Sequence, residues 1–522
     1  MQRVLLALAL FLFPVASIAA PPEDIAQRIE MIRAATGTPG ASVVIVEGDQ
    51  TVFLEGFGVE RIDRDTPADA NTLFPIGSNT KAMTAVTLAL LVQDGVINWD
   101  DRVIDHIPWF LMHDPYVTRE MRVRDLLIHS SGLSLGAGDL AFYPPTDFTR
   151  REFVEVLRHL EPQYGFRSQF AYDNILYVVA GQLVEEVTGK TWEAFVRERL
   201  FTPLGMGRTV ANSDMLPATN HASLHARFGS GMRGEGPMRL LFEAAGNDSV
   251  SAPAGDAWSS AGDYAAWLKL VLNDGKLEDG TQLLAPGTIR TLMAPHTPMR
   301  TWQWTGPESV ASPRYRFYAL GWIVYDYRGA LIANHGGGVD GGRSRQVVIP
   351  EKNVAFMIMT NAEEGVLIDA VTNTLLDHYI GAEPRDWLSI FQRRQAEWLA
   401  SAKAEVEAAQ ANRPEGGTPA LPLSAYAGTY RDKWYGTVTI SEDASGLSIS
   451  FDRTPRLKGR LEYWQNGTFI TDWTDPDSEE AYLTFILSPE GKVERIKARA
   501  VSPIADFSYD YHHLDLRPVA AD

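Results

Sequence analysis

The tetrad Ser78-x-x-Lys81 places a hydroxyl and an amine three residues apart, immediately after Gly77. Side chains at this spacing lie on the same face of a helix, so the two groups can touch. We predict an apolar helix over residues 81–95, which would desolvate Lys81 and favour the neutral amine that can accept the serine proton. The N-terminus of that helix would also direct N–H groups toward a developing oxyanion. The pattern therefore predicts a nucleophilic serine with a lysine base.

The tetrad alone does not decide this, because roughly one match is expected by chance in a chain of this length. A surface lysine with its ammonium group in water is the alternative for Lys81. Two further motifs bear on the choice between these interpretations.

The motif Tyr172-x-Asn174 follows a loop and opens a second apolar helix, predicted over residues 174–188. A phenol in such a corner can shuttle a proton if neighbouring cations lower its pKa. The amide of Asn174 suits either a substrate amide or the orientation of Lys81. A helix cap beside a half-buried tyrosine is the structural alternative.

The motif His335-Gly-Gly-Gly338 follows a short apolar strand. Glycines leave a strand edge bare, so a ligand can approach the backbone of Gly337 and Gly338 closely and bind their N–H groups. The alternative is a flexible turn with a solvated histidine.

Several reaction classes are excluded by what the sequence lacks. The chain has no cysteine, which excludes disulfides and thiolate chemistry. It carries no His-Glu-x-x-His pattern or other clustered ligand set, so we predict neither a metal nor a cofactor. Gly-x-Ser-x-Gly is also absent, which counts against the nucleophile elbow of α/β-hydrolases.

The three motifs occur in the order and approximate spacing of the serine β-lactamase and penicillin-binding-protein superfamily. Residues 25 to about 380 resemble its class C β-lactamase, D-alanyl-D-alanine carboxypeptidase-like and family VIII esterase branch. The stretches 72–77, 123–133 and 254–260 support the match.

This resemblance implies that Ser78 is the acylated nucleophile and that Lys81 and Tyr172 share the role of general base. Asn174 would hold the substrate or Lys81. His335 and Gly337 would line the substrate site, and the backbone N–H groups of Ser78 and Gly338 would form the oxyanion hole.

One position departs from the common pattern of the superfamily. His335 stands where many β-lactamases and penicillin-binding proteins carry a lysine that recognises a carboxylate. A largely neutral histidine weakens that recognition near pH 7. Efficient β-lactam hydrolysis and C-terminal carboxypeptidase action are therefore less expected than in those proteins. Family members with histidine here look more like peptidases acting beside D-amino acids, or esterases.

Composition and the first residues indicate an exported protein. Arg3, a short apolar run and small residues before Pro21 predict a signal peptide over residues 1–19, cleaved after Ala19. The apolar run is too short to span a bilayer. We therefore expect a periplasmic or secreted protein without a membrane span. The formal net charge of −19 argues against nucleic acid or anionic lipid as a partner.

The predicted fold is α+β with two domains. Residues 20–381 would form a β-lactamase-like domain, with an antiparallel sheet flanked by helices and a mostly helical subdomain. A hairpin over 41–54 and late strands over 318–360 suggest that both ends of this domain supply the sheet. The Gly- and Pro-rich stretch 228–256 predicts a long surface loop or lid.

The remainder of the chain is predicted to form a helix and linker over residues 382–420, then a small antiparallel β-barrel over 421–522. The barrel resembles the lipocalin-like C-terminal domain of some D-amino-acid-specific peptidases. In such relatives it covers the catalytic cleft or assists homo-oligomerisation, and both roles remain open here.

The expected function is hydrolysis through an acyl-enzyme on Ser78, with a small molecule or peptide, above all a D-amino-acid-containing peptide, as substrate. A carboxylesterase or weak β-lactamase could use the same Ser-Lys-Tyr site. A non-catalytic penicillin sensor is the alternative of another class, although a binding protein needs no nucleophile–base pair.

Overall fold

The computed structural model describes residues 20–229, 232–241, 250–414 and 416–519. The signal peptide predicted over residues 1–19 lies outside this part of the chain. Within it, an eight-stranded antiparallel sheet with helices on both faces is followed by a closed eight-stranded barrel. The predicted α+β fold with a C-terminal antiparallel barrel is confirmed.

The strands of the first domain are β1 (Gly40–Glu47), β2 (Gln50–Gly58), β3 (Phe74–Pro75), β4 (His225–Gly229), β5 (Met232–Leu240), β6 (Trp258–Ser259), β7 (Thr297–Pro298), β8 (Arg316–Tyr318), β9 (Ile323–Tyr327), β10 (Ala330–Val339), β11 (Gly342–Ile349) and β12 (Val354–Thr360). Those of the barrel are β13 (Gly428–Asp432), β14 (Gly436–Asp443), β15 (Gly446–Phe451), β16 (Lys458–Gln465), β17 (Thr468–Trp473), β18 (Ala481–Leu487), β19 (Val493–Ala500) and β20 (Asp515–Pro518).

The α-helices are α1 (Ile25–Thr36), α2 (Thr80–Gln93), α3 (Val103–His106), α4 (Pro115–Glu120), α5 (Arg150–Val156), α6 (Ile175–Thr188), α7 (Trp192–Val196), α8 (Thr202–Leu204), α9 (Ala252–Gly255), α10 (Ala261–Leu272), α11 (Thr288–Leu292), α12 (Val366–Ile380) and α13 (Trp387–Ala411). None of these described helices combines the length and apolar character that a bilayer span requires.

The main sheet joins both ends of the first domain, in the order β2-β1-β12-β11-β10-β9-β8-β7. Every residue of β1 and β12 is buried. Helix α10 covers one face of this pair, and α1 and α12 pack on the opposite side of the sheet. Burial on both faces explains why these strands read as continuous apolar runs rather than as alternating patterns.

Helix α2 lies at the centre of the domain, and all of its residues from Thr80 to Leu91 are buried. It packs against α6 and α9. Two of its buried hydroxyls donate hydrogen bonds to backbone carbonyls, Thr84 to Pro253 O and Thr87 to Thr84 O, both at 2.7 Å. A single turn of 3₁₀ helix, Gly77–Asn79, leads into α2 and carries Ser78.

The loop predicted over residues 228–256 is wrong in its first part, where β4 and β5 pair as a hairpin, and in its last part, where helix α9 lies. Glycine permits the local twist, since Gly234 and Gly236 both have positive φ angles. Arg233 of this hairpin pairs with Asp340 and Glu363, which fixes β5 against the sheet. The backbone pairing of the two strands and the ion pairs of Arg233 stabilise the hairpin, although the composition of the segment is typical of a loop. Residues 242–249 lie outside the described part.

Strand β10 continues through the glycines, so this motif forms a strand and not a flexible turn. Residues Ala330–Asn334 pair with β9, whereas His335–Val339 pair with β11 alone. The glycine half of β10 is therefore open on the side where β9 ends. A Cβ on Gly337 would lie 2.0 Å from Ile76 O and 2.3 Å from Ser344 Oγ. The strand thus approaches the turn before α2 too closely for any side chain.

This contact predicts that Gly337→Ala destabilises the domain. Overpacking a tight contact should lower the free energy of unfolding by about 1–3 kcal/mol. Gly336→Ala is the matched control, because the nearest atom that a Cβ there would meet is Ser344 O, at 3.9 Å. Urea denaturation of both variants measures the difference, and equal unfolding midpoints would contradict the packing described.

Candidate active site

Ser78 lies half-buried in a cleft of about 1060 Å³. The turn that carries it is held by Asn79, whose amide donates to Ile76 O at 3.1 Å and to Ser344 Oγ at 2.7 Å. Because the turn runs directly into α2, the positive end of that helix faces the serine. The cleft is lined by residues of both domains, with Asp506, Phe507 and Ser508 coming from the barrel.

Lys81 is fully buried, and its amine contacts three oxygen atoms. Nζ lies 3.1 Å from Ser78 Oγ, 2.8 Å from Asn174 Oδ1 and 2.6 Å from Ala254 O. A neutral amine has two N–H donors and one lone pair. It can donate to the amide and carbonyl oxygens while the lone pair accepts the serine proton.

Burial lowers the pKa of Lys81 from its ordinary value to about 7, against the opposing influence of Asp139 and Asp173. Neither carboxylate forms a direct ion pair with the amine within the described residues. A substantial fraction of the lysine is therefore neutral near pH 7, as the sequence predicted from the apolar helix.

The structure brings Tyr172 to the same cleft as Ser78, and both side chains line it. Lys81 Nζ lies 4.8 Å from the centroid of the Tyr172 ring. Burial raises the pKa of Tyr172 well above its ordinary range, so the phenol carries its proton in the resting site. His129 supports the ring from behind, at a centroid distance of 4.2 Å.

Asn174 begins α6, and both ends of its amide are engaged. Oδ1 accepts from Lys81, and Nδ2 donates to Asp139 Oδ2 at 2.8 Å. Ser508 of the barrel donates to the same carboxyl oxygen at 2.8 Å. Burial and the nearby carboxylate of Asp510 raise the pKa of Asp139 well above its ordinary value. Asn174 thus orients Lys81, and a hydrogen-bonded chain links the lysine to the barrel.

His335 lines the cleft but is 3% exposed. Its Nε2 lies 2.9 Å from the hydroxyl of Tyr318, and its Nδ1 lies 2.7 Å from Gly336 O. The arrangement fits a neutral ring that donates through Nδ1 and accepts through Nε2. Burial, together with the charge of Lys81, lowers the pKa of His335 to about 3. The third motif therefore supplies no cation near neutral pH.

Gly337 and Gly338 place backbone rather than side chains beside the serine. A Cβ on Gly77 would lie 2.6 Å from the nitrogen of Gly338. Gly77 has a φ of 51°, in the left-handed region that favours glycine. This close approach brings the Gly338 N–H near that of Ser78, as an oxyanion hole requires.

The barrel closes one side of the cleft through residues 504–513, which connect β19 and β20. Phe507 packs edge-on against Tyr172, with ring centroids 5.9 Å apart. Asp510 accepts hydrogen bonds from the backbone of Gly138 at 2.8 Å and Leu140 at 3.0 Å. The barrel thus adds residues to the site itself.

Sequence reasoning missed Asp139, Tyr318, Phe507 and Ser508, which belong to no motif. Ser508 lies 369 residues from Asp139 along the chain, so no local spacing could connect them. His129 does fall within the stretch 123–133 that carried the resemblance, and it could have been singled out there.

The beta-lactamase family model matches residues 25–379, more than half of the chain. The chain belongs to the beta-lactamase family. The C-terminal barrel matches a second model, a domain of unknown function (DUF3471), over residues 412–518. Within this family, the protein is a serine hydrolase.

Among curated proteins, the chain is 29% identical to the unguisins hydrolase of Aspergillus violaceofuscus, over 80% of this chain and 76% of that protein. It is 27% identical to penicillin-binding protein 4 of Amycolatopsis lactamdurans, over 64% of this chain and 84% of that protein. The first alignment extends beyond the hydrolase domain into the C-terminal part.

Two solved structures share the fold. The octameric penicillin-binding protein homologue from Pyrococcus abyssi has a TM-score of 0.59 and 19% identity, covering 91% of this chain and 98% of that one. The D-amino acid amidase from Ochrobactrum anthropi SV3 has a TM-score of 0.53 and 23% identity, covering 69% of this chain and 98% of the amidase.

The Asn174–Asp139–Ser508 contacts predict that this beta-lactamase-family enzyme needs Asp139 as an acceptor and not as a charge. Asp139→Asn preserves an oxygen for both donors, so kcat/KM should stay within about threefold of the parent value. Asp139→Leu removes this oxygen and should lower kcat/KM roughly 10- to 100-fold, because the buried donors of Asn174 and Ser508 lose their partner.

Steady-state kinetics of the two variants checks this prediction, with circular dichroism to verify folding. Equal losses in both variants would show that an ionised Asp139 is required, contrary to the raised pKa.

Proposed function

We propose that this serine hydrolase is an amidohydrolase that cleaves small peptides or amides containing D-amino acids, through an acyl-enzyme on Ser78. The observation that carries the proposal is the contact of a buried, largely neutral Lys81 with Ser78 Oγ, beside a protonated Tyr172. These three residues provide a nucleophile, a base and a proton donor within one cleft.

In the acylation step, Ser78 Oγ attacks the substrate carbonyl carbon and its proton passes to Lys81 Nζ. The N–H groups of Ser78 and Gly338 bind the carbonyl oxygen as it gains negative charge. When the C–N bond breaks, the leaving amine takes a proton from the Tyr172 hydroxyl, which recovers one from Lys81. The products are an ester on Ser78 and a free amine.

In deacylation, a water molecule replaces the amine beside Tyr172 and Lys81. It gives a proton to neutral Lys81 and attacks the ester carbonyl. When the C–O bond to Ser78 breaks, Lys81 returns that proton to Ser78 Oγ, so the acid is released and both residues recover their resting state. Since the pKa of Tyr172 is raised and that of Lys81 is lowered, we assign Lys81 as the base that accepts the proton and Tyr172 as the relay. The sequence had left this choice open.

The proposed substrate class rests on three features. The cleft of about 1060 Å³ exceeds the space that one small acyl group needs. His335 is uncharged, which separates the site from those that hold a β-lactam carboxylate through a lysine at this position. Relatives and structural neighbours include a hydrolase of unguisins and a D-amino acid amidase.

A carboxylesterase is the second candidate, because an ester has a better leaving group and requires less help from Tyr172. The glycine half of β10 is open, so an ester can approach Ser78 along the same edge as a peptide.

Activity-based labelling tests the nucleophile. Incubation with a fluorophosphonate should add its phosphonyl group to Ser78, as located by peptide mass spectrometry, and Ser78→Ala should abolish both labelling and hydrolysis. In a substrate panel, we expect D-amino-acid p-nitroanilides to be cleaved with a higher kcat/KM than their L-isomers. Hydrolysis of p-nitrophenyl esters without any anilide cleavage would favour the esterase and overturn the amidohydrolase proposal.

The pH dependence tests the base. Because only neutral Lys81 accepts the proton, kcat/KM should rise with pH through about 7 and level off above about pH 8. His335, with a pKa of about 3, adds no second limb in this range. In Lys81→Arg the new side chain is charged at every accessible pH, so kcat/KM should fall roughly 1,000-fold or more across the whole pH range.

Thermal unfolding recorded at each pH separates titration from loss of structure. If kcat/KM did not fall toward acid pH between about pH 9 and 5, the neutral lysine base would be contradicted.

A further inference from the structure

The cleft continues past His335 to a guanidinium group that no motif includes. Arg316 lies on β8, two residues before Tyr318, the residue that bonds His335. Arg316 and His335 line the same cavity as Ser78. The positive charge of Arg316 is among the influences that lower the pKa of His335, which places the two groups close together.

Arg316 lacks a counter-ion in the part of the chain that the structure describes. Within the described residues it forms no ion pair, and its Nε is buried without a hydrogen-bond partner. The nearby Arg345 is already paired with Asp369 at 2.6 Å. A desolvated cation that is left unpaired is costly in a native protein, and each such group requires an explanation.

A second unpaired donor lies beside it. The guanidinium stacks over the Trp302 indole at 5.0 Å from the ring centroid, and the buried Nε1 of Trp302 also has no hydrogen-bond partner among the described residues. Both groups are donors only, so a single acceptor could satisfy them together. Two more rings extend this surface into an aromatic wall. Their centroids lie 5.7 Å (Trp304) and 6.3 Å (Tyr325) from that of Trp302.

Building on the proposed amidohydrolase function, we propose that Arg316 and Trp302 form a subsite for the carboxylate of the substrate's leaving residue, with the side chain of that residue packed on the aromatic wall. The ligand class is a peptide with a free C-terminal carboxylate and an apolar or aromatic last residue. Carboxylate oxygens match the guanidinium fork and the indole N–H in charge and geometry.

The side of the cleft follows from the chemistry of Tyr172. The leaving nitrogen must reach its hydroxyl to be protonated. Tyr172 has His335 and Tyr318 as ring neighbours, each at 6.4 Å between centroids. Arg316 pairs with Tyr325 of β9 and lies on the face of the sheet toward α12, so a leaving residue reaches it by crossing the open edge of β10. The cation missing from position 335 is thus supplied from a different strand.

A matched substrate pair tests the subsite. D-Alanyl-D-phenylalanine and D-alanyl-D-phenylalaninamide differ only in the carboxylate, and the parent enzyme should prefer the acid by kcat/KM. Arg316→Ala should reduce kcat/KM for the acid roughly 10- to 100-fold and change the amide less than about threefold. Arg316→Lys should recover part of the loss, and Trp302→Phe should show a smaller one.

Arg314→Ala is the control for net charge, because Arg314 is 79% exposed and lies two residues away. It should leave the preference unchanged. Equal kcat/KM for the two substrates in the parent enzyme, or equal losses for both in Arg316→Ala, would overturn the subsite.

A binding measurement separates failure of the subsite from failure of the proposed reaction. Isothermal titration of Ser78→Ala with N-acetyl-D-phenylalanine and its carboxamide needs no turnover. Tighter binding of the acid, lost when Arg316→Ala is added, supports the subsite even if neither dipeptide is cleaved. No difference between acid and amide overturns it, while fluorophosphonate labelling of Ser78 in Arg316→Ala still reports on the nucleophile.

Discussion

The amine of Lys81 is buried between two neutral oxygen acceptors, Asn174 Oδ1 and Ala254 O. Charge on this amine would need a counter-ion that the described surroundings do not provide in direct contact, so the interior favours the neutral form. That preference makes the lysine a base near pH 7. It depends on the buried helix α2 beneath it, on α6, which positions Asn174, and on α9, which supplies the carbonyl.

The barrel acts on this base from a distance. Asp139 lies one hydrogen-bonded residue from Lys81, and an ionised carboxylate there would stabilise the ammonium form. Burial beneath the barrel and the charge of Asp510 favour the protonated acid instead. Ser508 fixes its orientation. The two domains therefore share one network, in which the C-terminal part shapes the cleft and also influences the protonation of the catalytic part.

The sequence predicted what depends on local pattern. Buried helix α2, the β1–β2 hairpin and the antiparallel barrel after residue 421 follow from periodicity and turn residues, and the contact of Ser78 with Lys81 follows from helix geometry. The barrel's first and last strands, β13 and β20, are short and gain their stability from closing the barrel, so local pattern alone does not indicate where they lie. The sequence did not predict the β4–β5 hairpin or the role of Ser508 either, because the residues that hold them in place lie far along the chain.

The third motif shows how a neutral residue changes the electrostatics of the whole site. A lysine at position 335 would itself disfavour charge on Lys81 by repulsion. With a neutral histidine there, the low pKa of Lys81 comes from burial alone. The strength of the base then depends on how completely water is excluded, and hence on Phe507 and the barrel segment that closes the cleft. A substrate that fills the cleft removes further water and so favours the neutral amine at the moment when it must accept the proton.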